Sequence, residues 1–280
     1  MEIALIGHGA IATYVAQQLD SVEGAALTHV IVRPGRQAAA IQALGAPTTC
    51  VTVTSVDQLS SSVQLVVDCA GHAGLAAHGI EALQAGFDVL TVSIGALADA
   101  ALAKRLHQAE LQGHCELHLA TGAIGALDAL SAAAVGGLDS VVYRGRKPPQ
   151  GWRGSPAEEV LDLDKLQAAD GEAHPGHGEA QCHFRGNAGE AARRYPKNAN
   201  VAAAVALAGI GFEETIVELW ADPGIGKNIH EVEAQGTFGR FRFEIEGDPL
   251  PDNPKSSALA AMSVVAHIER LAKTNLKRSE

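Results

Sequence analysis

The sequence predicts an α/β fold, with an N-terminal Rossmann-type doubly wound parallel sheet and a C-terminal α+β domain built on a mixed or antiparallel sheet. Three observations carry this. Short apolar runs alternate with Ala- and Leu-rich helical patterns from Met1 to about Ala120, as βαβ units do. A glycine turn, Gly7-His8-Gly9, stands between the first run and the first helical pattern. Apolar residues make up 47% of the chain and aromatics only 4%, which suits helices close-packed on a sheet better than a β-sandwich.

The elements follow in order. "EIALIG", "ALTHVIV", "LVVDCA", "FDVLTVS" and "CELHLA" read as strands separated by helices. After "LATGAIGAL" the texture changes, and Ser140 to Pro156 carries Gly, Pro and most of the local basic charge, so a domain boundary is expected near residue 121. Gly171 to Glu179 reads as a surface loop or insertion. Helical patterns at "AGEAARRY" and "NANVAAAVALAGI" precede three strand-like runs, "ETIVELWA", "KNIHEVEAQ" and "GRFRFEIEG". Alternation in the last puts Phe241, Phe243 and Ile245 on one face of a half-buried sheet. A final helix is expected from Asn253-Pro254 onward, packing back on the first domain. The 280 residues suffice for two cores, expected as a dinucleotide-binding domain, 1–121 with 252–280, and a substrate, catalytic and dimerisation domain, 122–251.

The formal net charge of −11 opposes binding to a phosphate backbone, so no nucleic-acid partner is expected. Met1-Glu2 runs straight into a strand without the basic and apolar segments of a secretory signal, and no apolar run is long enough for a membrane span. A cytoplasmic protein acting on a small molecule is the expectation. Cys50, Cys69, Cys115 and Cys182 lack C-x-x-C spacing and read as free thiols.

A strand, Gly7-x-Gly9-x-x-Ala12 and a helix, in that order, form the context in which glycines cradle a pyrophosphate. Gly7 permits the tight turn, Gly9 lets backbone approach the phosphates, and Ala12 lets helix and strand pack closely. Ala10 and Ile11 open the helix, whose N-terminus offers free N–H groups. The second strand ends in "HVIVRPGR", with Arg33 and Arg36 in place of a carboxylate. Arginine suits a 2′-phosphate, so the cofactor is expected to be NAD or NADP.

In "KNIHEVEAQ", alternation groups His230 with Val232 and Ala234 on the less polar face. An imidazole there is either a satisfied core residue or, if the face lines a cleft, a general acid/base. "YPKNANVAA" opens a helix with Asn198 and Asn200, which could cap it or orient a substrate; Lys197 beside them, with Arg144, Arg146, Lys147 and Arg153, could hold an anionic substrate. Neither "HCELH" nor "HPGHGEAQCH" has a strong ligand spacing, and no metal is expected.

Taken together, "IGHGAIA", "DCAGHAGL", "VSIGALAD", "TGAIGALDAL", "GRKPPQGWRGSPAE", "AGEAARRYPKNANVAAAVALAG", "ADPGIGKNIHEVEAQGTFG" and "NPKSSAL" resemble, in order and over nearly the whole chain, the L-aspartate dehydrogenases linked to NAD biosynthesis. The resemblance implies reversible oxidation of L-aspartate to iminoaspartate, which yields oxaloacetate and ammonia, and a homodimer. His230 in "NIH" matches the family's catalytic histidine; Ala123 in "TGAIGA" and Asn200 in "KNANVA" match its NAD contacts. The Gly171 to Glu179 loop and His8 depart from the family pattern. Two rivals remain: a related dehydrogenase acting on another amino or keto acid, and a non-catalytic NAD(P)H sensor.

Overall fold

The computed structural model describes residues 1–280 except 46, 48, 167–178, 197, 252 and 280. It divides into two compact units, Met1–Gly122 with Ala260–Glu280, and Ala123–Leu259.

The first unit carries a parallel sheet of β1 (Glu2–Ile6), β2 (Ala26–Ile31), β3 (Val51–Val53), β4 (Val63–Asp68), β5 (Asp88–Thr91) and β6 (Leu117–Leu119), in the order β3-β2-β1-β4-β5-β6. The expected doubly wound sheet is therefore present; short β3 is the strand that apolar patterning did not mark. Strand β1 shows why these runs are continuously apolar. Its period of two sends Ile3 and Leu5 into one core layer and Ala4 and Ile6 into the other, so both faces are covered. On the Ile3 side pack α1 (Ala10–Leu19) and the last helix, Ala258–Ser279, through Val264, Ile268 and Ala272. That helix starts later than expected. Asn253–Ser257 is instead a strand paired with Pro249–Leu250, because extended pairing takes residues that a Pro-led first turn would have used.

The second unit is built on a five-stranded mixed sheet of β7 (Leu138–Lys147), β8 (Gln181–Asn187), β9 (Ile216–Ala221), β10 (Asn228–Gly236) and β11 (Gly239–Gly247), in the order β11-β10-β7-β9-β8. Only β7 and β9 run parallel. Its middle strand lies in the stretch read as a change of texture. In "VVYRGRK", Val141, Tyr143, Gly145 and Lys147 face inward, while Arg144 and Arg146 alternate outward onto carboxylates. Strict alternation, rather than the Gly and the basic charge, is what this segment obeys. The helix Asn200–Ala208 belongs to this unit, and its residues Val201 to Ala206 are all buried.

Candidate active site

The carboxyl ends of β1, β2 and β4 surround a cavity of about 580 Å³ lined by Gly7, His8, Gly9, Arg33, Arg36, Cys69, Ala70 and Gly74, among others. It sits at the switch point where the strand order reverses, the place open α/β sheets use for ligands. Gly7 has φ +90°, and a Cβ there would lie 3.0 Å from Ala70 Cβ. Around Gly9 a Cβ would meet nothing within 4 Å, so the space over the turn is open. Gly9 is the N-cap of α1 and no side chain caps that end; among the described residues, the N–H groups of the first turn face no competing protein acceptor. Ala12 is fully buried against β1, whereas Ala10 and Ile11 are half-buried.

The far wall is held by a buried carboxylate. Asp68, at the end of β4, accepts hydrogen bonds from Thr91 Oγ1 at 2.8 Å, Ser93 Oγ at 2.5 Å and the Ala70 N–H at 3.0 Å. Burial pushes its carboxyl up, while the bonds from Ser93, Ala70 and Thr91 pull it back. This network fixes the Cys69–Ala70 stretch of the lining, and the sequence reading missed it.

A dinucleotide fits this cradle. The bare turn and uncapped helix end suit phosphates, and His78 Nδ1, on a lining residue, is buried with no hydrogen-bond partner among the described residues. Arg33 and Arg36 are exposed and have no carboxylate partner among them. Where a 2′-phosphate is present, these arginines would hold it.

The second unit holds His230, the histidine expected from the sequence to act as an acid/base. His230 is 5% exposed and pairs directly with Gly145 across β7 and β10. Its diagonal neighbours on β7 are therefore Tyr143 on one side and Lys147 on the other, all on the inward face. Tyr143 Oη lies 2.7 Å from His230 Nδ1. Gly145 makes this possible, since a Cβ at that position would stand 2.7 Å from the same hydroxyl. Burial, with the Lys147 charge as a smaller contribution, pulls the His230 imidazole down to about 3; burial also pushes the Tyr143 hydroxyl up. Both are neutral at physiological pH.

The structure sorts the basic candidates. Arg144 bonds to Glu218, Glu231 and Glu233, Arg146 to Asp222 and Arg153 to Asp164. Lys147 turns inward, is 8% exposed, and donates to Asn198 Oδ1 at 3.0 Å. Asn198 is thus no helix cap; the cap position is Ala199, with no side-chain bond. Asn200 is the first helical residue, half-buried, and Ala123 is buried at the start of this unit. Lys197 and most of the Gly171 to Glu179 loop lie outside the described residues. Tyr143 and Gly145 were missed for the reason β7 was, and the alternation of "VVYRGRK" was the available signal. Among the described residues, no group of three His, Cys, Asp or Glu side chains is arranged to hold a metal.

The family described as "Aspartate dehydrogenase, C-terminal" matches residues 128–271, and "Homoserine dehydrogenase, NAD binding domain" matches residues 7–120. An L-aspartate dehydrogenase of Ruegeria pomeroyi is 54% identical over 96% of this chain and 92% of its own length. One from Polaromonas sp. is 44% identical over 95% of each. The crystal structure of aspartate dehydrogenase from Thermotoga maritima superposes with a TM-score of 0.71, covering 97% of this chain and 96% of that one at 24% identity, which speaks for the fold. With an NAD-binding cradle in one unit, and relatives similar across both, the chain belongs to the L-aspartate dehydrogenase family.

Proposed function

We propose that this protein is an NAD(P)-dependent oxidoreductase that converts L-aspartate to iminoaspartate, which water then splits to oxaloacetate and ammonia, a reversible reaction serving NAD biosynthesis. The observation that carries this reading is family membership extending over both units. Residues 1–121 with 252–280 act as the dinucleotide-binding domain, and 122–251 as the substrate, catalytic and dimerisation domain. The enzyme works as a homodimer, as the resemblance implies, and in the cytoplasm; no helix among the described residues is long and apolar enough to cross a membrane.

Gly7, Gly9 and the α1 start at Ala10 and Ile11 receive the pyrophosphate, Ala12 keeps helix and strand close, and Arg33 contacts the ribose side. Ala123 and Asn200 are further cofactor contacts by their match to the family's motifs. When bound, the oxidised dinucleotide supplies the acceptor for the two electrons and the hydrogen that leave Cα of the substrate. His230 manages the accompanying proton. Buried and neutral, it can take a proton from the substrate amine or from the water that attacks the imine. For this role the proton of the neutral ring sits on Nδ1, which donates to the Tyr143 oxygen and leaves the Nε2 lone pair to take the proton. Asn198 and its sequence neighbour Lys197 are assigned to substrate binding from their position in the "YPKNANVAA" run.

The test mixes purified protein with L-aspartate and NAD or NADP at alkaline pH and follows reduced-nicotinamide absorbance, with D-aspartate, L-glutamate and L-malate alongside. Reduction with L-aspartate alone is expected. Turnover of another acid in preference would transfer the reading to a related dehydrogenase, and NAD(P)H binding without any turnover to a sensor.

A further inference from the structure

Lys147 is the one inward cation of β7, and among the described residues no anion meets its charge. Its ammonium donates to the neutral Asn198 amide at 3.0 Å and stands 5.3 Å from the centroid of the Trp152 ring. Neither is an anion. Among the described residues no carboxylate lies within ion-pair distance of Nζ, while the outward arginines Arg144 and Arg146 are each paired. The surroundings are rigid: Trp152 is 1% exposed and its indole N–H bonds to the Trp220 carbonyl at 2.9 Å.

A buried ammonium facing only neutral groups is strongly disfavoured unless an anion arrives to offset its lost hydration. The strain shows in its titration, since burial pulls the Lys147 ammonium down to about 8. Asn198 spends its carbonyl oxygen on Lys147, and its amide N–H groups have no acceptor among the described residues. A cation and an amide donor side by side, on the face that carries His230, form a receptor for a planar anion of two oxygens.

We propose that Lys147, together with the Asn198 amide, anchors a carboxylate of the substrate; where that group is the side-chain carboxylate, the same contact selects dicarboxylic amino acids. This rests on the reading that L-aspartate is the substrate. The anchored group is either the carboxylate on Cα or the one on the side chain, and the two are separable by experiment.

The variants Lys147→Met and Lys147→Gln keep much of the side-chain volume and remove the charge. Each is compared with wild type for KM and kcat with L-aspartate and L-asparagine, for NAD(P)H affinity by fluorescence, and for succinate affinity by calorimetry. The KM for L-aspartate should rise about 100-fold, the loss of a charge-assisted, desolvated contact. Succinate binding should vanish, NAD(P)H affinity should stay within about twofold, and thermal stability should not fall, because an uncompensated buried charge has gone. Loss of the preference for L-aspartate over L-asparagine assigns Lys147 to the side-chain carboxylate, and a parallel loss with both assigns it to the Cα carboxylate.

A folded variant that retains its KM and its succinate affinity overturns the proposal. If neither variant folds, wild type is treated with an amine-reactive reagent at pH 8 and the Lys147 peptide is followed by mass spectrometry; absence of protection by succinate overturns it equally. Should wild type fail to oxidise L-aspartate, the functional reading falls, yet Lys147-dependent succinate binding would still uphold the anchor and its absence would remove it.

Discussion

Tyr143 Oη and His230 Nδ1 are 2.7 Å apart on the buried face of the second sheet, joined diagonally across β7 and β10. Both groups are almost fully buried, so the bond is undiluted by water and each side chain fixes the other. Removing the imidazole, His230→Ala, should lower kcat by about 10²- to 10⁴-fold with NAD(P)H affinity unchanged. Steady-state kinetics beside a fluorescence titration measure both.

Tyr143→Phe leaves the imidazole in place but frees its orientation. Turnover should fall by about 10- to 100-fold, as a misplaced acid/base group costs, with KM for L-aspartate within about twofold. The acid limb of the pH–rate profile should move as well. An upward shift means that the phenol donates to Nδ1, and a downward shift that it accepts from it. A merely structural role would leave that limb where it was.

Gly145→Ala should reproduce the Tyr143 defect without touching either partner. The new Cβ would stand 2.7 Å from the Tyr143 hydroxyl and 3.3 Å from Leu219 Cδ2. Since Tyr143 is 1% exposed and Leu219 likewise, neither can yield into solvent. The cost in stability should be about 1–3 kcal/mol, the range for overpacking, read by urea unfolding together with a loss of kcat.

Arg33 is exposed beside the dinucleotide cradle and has no carboxylate partner among the described residues. Arg33→Ala should therefore weaken NADP about 10- to 100-fold, the value of a charge-assisted phosphate contact. The affinity for NAD and the melting temperature should stay as they were. Calorimetric titration with both nucleotides gives the ratio.

His230 and His183 are both buried and pulled below their ordinary range, by burial first, to about 3 and about 4 respectively. In the unfolded chain they take up protons near pH 6.5, so between there and their folded values the unfolded state binds more protons. Stability from this source is present above about pH 6.5 and declines as pH falls. Urea midpoints should drop between pH 7 and pH 5, and the drop should be smaller in His230→Gln.

The first unit was nearly transparent to sequence reading. Parallel strands covered on both faces need unbroken apolar runs, and the tight turn at Gly7 needs a residue free to adopt φ +90°, so both leave local signatures. The Asp68 network left none, because its partners Thr91 and Ser93 come from the next strand and the residues just after it.

In the second unit, the local period of a strand already sets His230 on the face of Val232 and Ala234. Which strand lies beside that face was decided by tertiary structure alone. The register of β10 on β7 sets Gly145 opposite His230 and brings Tyr143 and Lys147 to its flanks from 87 and 83 residues away in the chain. Local pattern tells which way a side chain points; pairing and burial tell what it meets. Those meetings make the imidazole neutral and leave the lysine without an anion, since desolvation depends on every neighbour at once.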